Sequence, residues 1–111
     1  MFSELEKEKI NKGELKLEDA YLSKCRNISD LIYYSELPKD KIAEFLGVTT
    51  KKFTRIINNP SAEANKDNVK DFARALNVSP AFLIMNYSMG MKKISIEEAL
   101  DLEINWGQHA A

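Results

Sequence analysis

One cysteine and one histidine leave no material for a metal cluster or an internal disulfide. An unpaired Cys25 fits a reducing compartment. No apolar run approaches the roughly 20 residues of a membrane span. The opening segment MFSELEKEKINKG is charged where a signal peptide would be apolar. A cytoplasmic chain without a membrane partner is therefore expected. The sequence also lacks a glycine-rich phosphate loop, a nucleophile beside a base, and paired carboxylates in a catalytic setting. The expectation is no enzyme, no catalytic residue, no cofactor and no metal. Strand-like alternation is missing as well, and the fold class expected is all-α.

What remains is ordinary for a globular chain. Hydrophobic residues make up 44% and charged residues 30%, enough apolar material to close one core around 111 residues. Three segments are expected: residues 1–27 as an N-terminal helical extension, residues 28–86 as the central domain, and residues 87–111 as a tail with one short helix.

The central domain is organised around KDKIAEFLGVTTKKFTRIINN, Lys39 to Asn59. A helix over 39–46 places Ile42, Ala43 and Leu46 on one face. A second over 50–58 turns Phe53, Ile56 and Ile57 inward. Gly47, free to take positive φ, and the β-branched Val48 join them. The outward side of the second helix carries Thr50, Lys51, Thr54, Arg55 and Asn58, with no acid among them. The whole chain has a net charge of −1, but Lys39, Lys41, Lys51, Lys52 and Arg55 face only Asp40 and Glu44 within this stretch, a local excess of +3. Positive charge is concentrated where donors are also concentrated.

Before this unit, residues 1–12 read as a short helix or a frayed arm ended by Gly13. Leu17, Tyr21, Leu22 and Cys25 then recur at helical spacing. Asn27 with Asp30 starts a fresh helix or bends a continuous one, with Ile28, Leu31, Ile32 and Ser35 inside, stopped at Leu37-Pro38. After it, Asn58-Asn59-Pro60-Ser61 reads as a turn continuing as a loop through Ala62, Glu63 and Ala64. Asn65 or Asp67 caps the next helix, with Val69, Phe72, Ala73 and Leu76 inward. Ser79-Pro80 opens a short helix to Asn86 containing Phe82, Leu83 and Met85. Ser88 to Met91 reads as a hinge. Ser95 and Glu98 form a capping box for a helix over 96–104 whose inner side carries Ile96, Ala99, Leu100 and the Glu103-Ile104 pair, ended by Trp106 and Gly107.

Three runs together carry a resemblance: IAEFLGVT at 42–49, FTRI at 53–56, and FARALNVSPAFL at 72–83. With their paired GVT and NVSP segments they resemble the lambda-repressor-like family, the Cro and xenobiotic-response-element type of helix-turn-helix protein. The resemblance covers residues 28 to 85. It implies a five-helix DNA-binding domain flanked by the N-terminal helical extension and a C-terminal helix. Carried over by position, it places Thr50, Lys51 and Arg55 at base edges with Thr54 close by. It gives Lys39, Thr49, Lys52, Asn58 and Asn59 to the phosphate backbone. The chemistry suits these types: Arg and Lys donate to guanine O6 and N7, and Thr offers a hydroxyl or a methyl. Lys39 stands where the family usually has glutamine, and either residue can donate to a phosphate. Asn59 stands where the family often has glycine and Ile57 where it often has glutamate; the acid lost at Ile57 implies that the end of the second helix packs differently.

Set beside this are plainer expectations. Tyr33, Tyr34 and Tyr87 are expected to be partly buried with wet hydroxyls. Trp106 is expected to cover an apolar edge or a dimer contact, and His109 has no catalytic setting. Two functions are consistent with the residues. One is a sequence-specific transcriptional regulator, a repressor of phage, mobile-element or antitoxin type. It would bind double-stranded DNA as a homodimer and read an inverted repeat through the major groove, with Ile96 to Trp106 supporting the dimer. The other is a helix-turn-helix module whose task is to bind a protein partner.

Overall fold

Local capping chemistry sets most of the helix starts. In the computed structural model, which describes residues 1–109, nine helices follow in order: α1 (Glu4–Asn11), α2 (Leu17–Lys24), α3 (Ile28–Ser35), α4 (Lys39–Leu46), α5 (Thr50–Asn58), α6 (Pro60–Glu63), α7 (Lys66–Leu76), α8 (Pro80–Tyr87) and α9 (Ile96–His109). No strand occurs among the described residues. Ser3 and Glu6 close a capping box on α1, making it a defined helix rather than an arm. Asn27 Oδ1 accepts the Asp30 amide at 2.9 Å to start α3. Asn65 and Asn68 cap α7 reciprocally, and Ser95 and Glu98 do the same ahead of α9.

Two turns share one construction. In Leu46-Gly47-Val48-Thr49, Gly47 is left-handed at φ +70°, Val48 N–H returns to the Ala43 carbonyl at 3.0 Å, and Thr49 caps the next helix. In Leu76-Asn77-Val78-Ser79, Asn77 is left-handed at φ 59°, Val78 N–H returns to the Ala73 carbonyl at 3.0 Å, and Ser79 caps α8. Glycine and asparagine are the residues that accept this backbone cheaply. Each turn thereby seals one helix end and opens the next.

One apolar cluster runs through all three segments of the chain. Ile28, Leu31, Ile42, Phe53, Ile56, Val69, Phe72, Leu76 and Leu83 are buried, and Phe53 meets Phe72 edge-on with ring centroids 6.2 Å apart. Phe2 and Tyr21 join from the N-terminal side and Leu102 from α9. Phe2 packs its ring against those of Tyr21 and Tyr34, at 5.4 and 5.2 Å. Two polar ties add to this. Glu18 accepts the Ser79 amide at 2.7 Å, and Tyr87 Oη donates to the Cys25 carbonyl at 2.9 Å.

Several expectations are corrected. Residues 60–63 form α6 rather than a loop, with Pro60 at the first position where its missing N–H costs nothing. Leu22 is exposed, and Ala20 takes the inward place on α2. Tyr87 is buried and its hydroxyl is bonded inside the protein rather than wet, whereas Tyr33 is exposed. The Ser88–Met91 segment is not hinge-like: Met89 is fully buried and the Gly90 amide donates to the Pro60 carbonyl at 2.8 Å.

The largest correction concerns α9, which runs to His109 and is rotated from the expected setting. Leu102 is buried and Trp106 packs against the core, while Ile96, Leu100 and Ile104 are 82%, 59% and 66% exposed. Two polar contacts set that rotation. Lys66 Nζ pairs with Asp101 at 3.0 Å, and Glu103 accepts the Ala81 amide at 2.7 Å. The apolar stripe at 96, 100 and 104 is thus left facing outward, together with Met85 on α8.

Candidate nucleic-acid interface

The α5 helix owes its placement to its buried back. Phe53 and Ile56 are held in the core and Ile57 packs half-buried beside them. Because a helix repeats every 3.6 residues, anchoring positions 53 and 56 turns 50, 51, 54, 55 and 58 outward. Thr50, Lys51, Thr54, Arg55 and Asn58 are all exposed, as expected, and α5 contains no acidic residue. Lys39, at the first position of α4, is exposed too. No side chain caps α4, so the N–H groups of Lys39 and Asp40 are open to an anion, the Lys41 amide already donating to the Pro38 carbonyl at 3.1 Å.

Hydrogen bonding distinguishes among the candidates. Thr49 Oγ1 accepts the Lys52 amide at 3.0 Å and keeps its own hydrogen for an outside acceptor. Thr54 Oγ1 donates to the Thr50 carbonyl at 3.0 Å, so its hydroxyl hydrogen is occupied and it offers lone pairs and a methyl instead. Asn59 is exposed at the junction of α5 and α6, with its amide bonded to Arg55 O and its carbonyl accepting the Glu63 amide, both at 2.9 Å. Lys51 and Arg55 make no ion pair among the described residues.

Lys52 stands apart. Its ammonium donates to Glu63 Oε2 at 2.8 Å, and both side chains are about two-thirds covered. That hydrogen bond holds the Glu63 carboxyl below its ordinary value. The charge of Lys52 adds to this, and more distant help comes from Arg55 and Lys93. An acid placed among three cations trims the positive field of this edge.

Three residues carry no role in the sequence reading: Glu63, which falls in the expected loop, and Lys92 and Lys93, although the basic pair is plain in MGMKK. The backbone brings them in: the Lys92 amide donates to the Ser61 carbonyl at 3.0 Å, just past the end of α5.

Two apolar surfaces lie elsewhere. Leu37, Ile42, Phe45 and Ala75, flanked by Lys41 and Arg74, line an open groove of about 340 Å³. Met85, Ile96 and Leu100 border a second depression between α8 and α9. Comparison with family models, with curated proteins and with solved structures yields no match for this chain. No helix among the described residues is long and apolar enough to cross a membrane.

Proposed function

We propose that this chain is a sequence-specific DNA-binding transcriptional regulator of the lambda-repressor-like type, acting as a repressor. The observation that carries the reading is the outward side of α5, where Thr50, Lys51, Thr54, Arg55 and Asn58 form one exposed, acid-free face above a fully packed back. A helix of that kind meets the acceptor-rich edges of the major groove and the flanking phosphates. The succession of α3, α4, α5, α7 and α8, with its two matching turns, supports a five-helix domain of this family. Arg55 and Lys51 are assigned to base edges, with Thr50 and Thr54 beside them. Lys39, Thr49, Asn58 and Asn59 are assigned to phosphates, Lys52 contributing only when it leaves Glu63.

Reading an inverted repeat needs two copies. The exposed aliphatic positions Ile96, Leu100 and Ile104 recur every fourth residue along α9, with Met85 alongside. A stripe of this kind is self-complementary across a two-fold axis, and a second copy of the chain is the occupant assigned to it. The same exposed stripe favours the competing reading, a module that binds a different protein and no DNA.

Selection of bound sequences from a random DNA pool separates the two. The expected result is an enriched motif with inverted half-sites about one helical turn apart, roughly 10 base pairs. Arg55→Ala then relaxes preference at one position in each half-site, costing about 1–3 kcal/mol of discrimination. A pool that shows no enrichment, or a Lys51→Ala, Arg55→Ala double variant that binds with unchanged affinity and selectivity, overturns the assignment.

A further inference from the structure

The loop between α8 and α9 carries two lysines that the family resemblance does not reach, and the fold pins it against the turn leaving α5. Met89 is fully buried. Gly90, left-handed at φ +74°, donates to the Pro60 carbonyl at 2.8 Å, and the Lys92 amide donates to the Ser61 carbonyl at 3.0 Å. Gly90 O in turn accepts the amides of Lys93 at 3.0 Å and Ile94 at 2.8 Å, and the Ile94 side chain packs on the core. The backbone under Lys92 and Lys93 is therefore fixed on both sides. Their side chains are exposed and make no ion pair among the described residues.

We propose that Lys92 and Lys93 form a second phosphate-binding edge beside the C-terminal end of α5, engaging the DNA backbone outside the bases that α5 reads. The proposal rests on the DNA-binding reading and extends the footprint beyond the helix-turn-helix unit. With the backbone pinned, only the two lysine side chains remain to be ordered on binding. Because the contacts are to phosphates, they add affinity without adding sequence preference. The influence of Lys93 on the Glu63 carboxyl, alongside Lys52 and Arg55, agrees with all three cations lying along one edge.

The test is the salt dependence of binding to the selected DNA site. Each phosphate neutralised contributes about 0.9 to the slope of log affinity against log salt. A Lys92→Ala, Lys93→Ala variant should therefore lose about 1.8 of that slope, making the affinity drop between about 50 and 200 mM salt roughly tenfold smaller. Its selected motif should match that of the parent chain. A Lys92→Gln, Lys93→Gln variant, which keeps a polar side chain only one atom shorter, should behave the same way. A Lys9→Ala, Lys12→Ala variant removes the same charge at the C-terminal end of α1 and should keep the parent slope. A parent that binds DNA with a slope these loop variants leave unchanged overturns this proposal alone, as does an equal loss from the α1 variant. A changed motif would assign the lysines to bases and overturn it too. A parent that binds no DNA overturns both this proposal and the function on which it rests.

Discussion

Lys52 Nζ and Glu63 Oε2, eleven residues apart, lie 2.8 Å from each other across the junction of α5 and α6. The pair closes α6 onto α5 and places the Glu63 carboxylate within the field of Lys52, Arg55 and Lys93 at the border of the exposed α5 face. If α5 reads DNA as proposed, the pair is an internal competitor for a phosphate. A cation already paired with an acid releases fewer counterions when DNA arrives than a free one does.

Removing that competitor should strengthen DNA binding. Glu63→Gln frees Lys52 and adds one unit of positive charge. Affinity at low salt should rise and the salt slope should steepen by up to about 1, read from titrations at several salt concentrations. Lys52→Ala should flatten the slope by less than the roughly 0.9 expected of an unpaired phosphate contact. The pair also sets a pH dependence. Glu63 is held below its ordinary value of 4.5, so its contribution to stability is present above that pH and fades as pH falls through the lowered value. The melting temperature of Glu63→Gln should consequently fall less than that of the parent on acidification through this range.

Two left-handed glycines should respond differently to alanine. At Gly47, φ is +70° and a Cβ would meet nothing within 4 Å, so the loss is the backbone term alone, about 1–2 kcal/mol. At Gly90, φ is +74° and a Cβ would run into Ile94 Cδ1 and lie 3.1 Å from Val69 Cγ2. Overpacking adds about 1–3 kcal/mol to the same backbone term. Denaturant unfolding of Gly47→Ala and Gly90→Ala should therefore rank the second as the more damaging. Equal losses would mean that Ile94 swings aside freely.

Tyr87 and Cys25 offer a test of how firmly the N-terminal extension is held. Tyr87→Phe deletes the donor to the buried Cys25 carbonyl and should cost about 1–3 kcal/mol in unfolding experiments. Burial, reinforced by the charge of Asp30, pushes the Cys25 thiol up to about 11. The native chain at pH 8 should resist a thiol-specific reagent and react only as it unfolds. Prompt labelling of the folded protein would show that α2 detaches readily.

The outward stripe of α9 should govern assembly. Leu100 is 59% exposed in the single chain, so Leu100→Asp should leave the melting temperature of a dilute sample nearly unchanged. Sedimentation should show the parent as a dimer and the variant as a monomer. A variant that remains dimeric would move the two-fold contact away from α9.

Much of the fold is legible in the sequence because helix starts and stops are decided within four residues. Asn27 with Asp30, Thr49 with Lys52, Ser79 with Phe82 and Ser95 with Glu98 are local bonds, and the spacing of Phe53 with Ile56 or Val69 with Phe72, Ala73 and Leu76 fixes which side of a helix turns inward. The exposed side of α5 follows from the same arithmetic. Tertiary structure alone decided the rest. α9 has apolar residues on two sides, and contacts with Lys66 and Ala81, distant in sequence, choose Leu102 for the core and leave Ile96, Leu100 and Ile104 outside. Phe2 becomes core only because the rings of Tyr21 and Tyr34 meet it. Lys52 finds Glu63, and Lys92 comes to rest beside Ser61, through packing between segments that share no local pattern. A residue's own neighbours determine whether it is helical; which partner its charge meets depends on how the helices close around a common core.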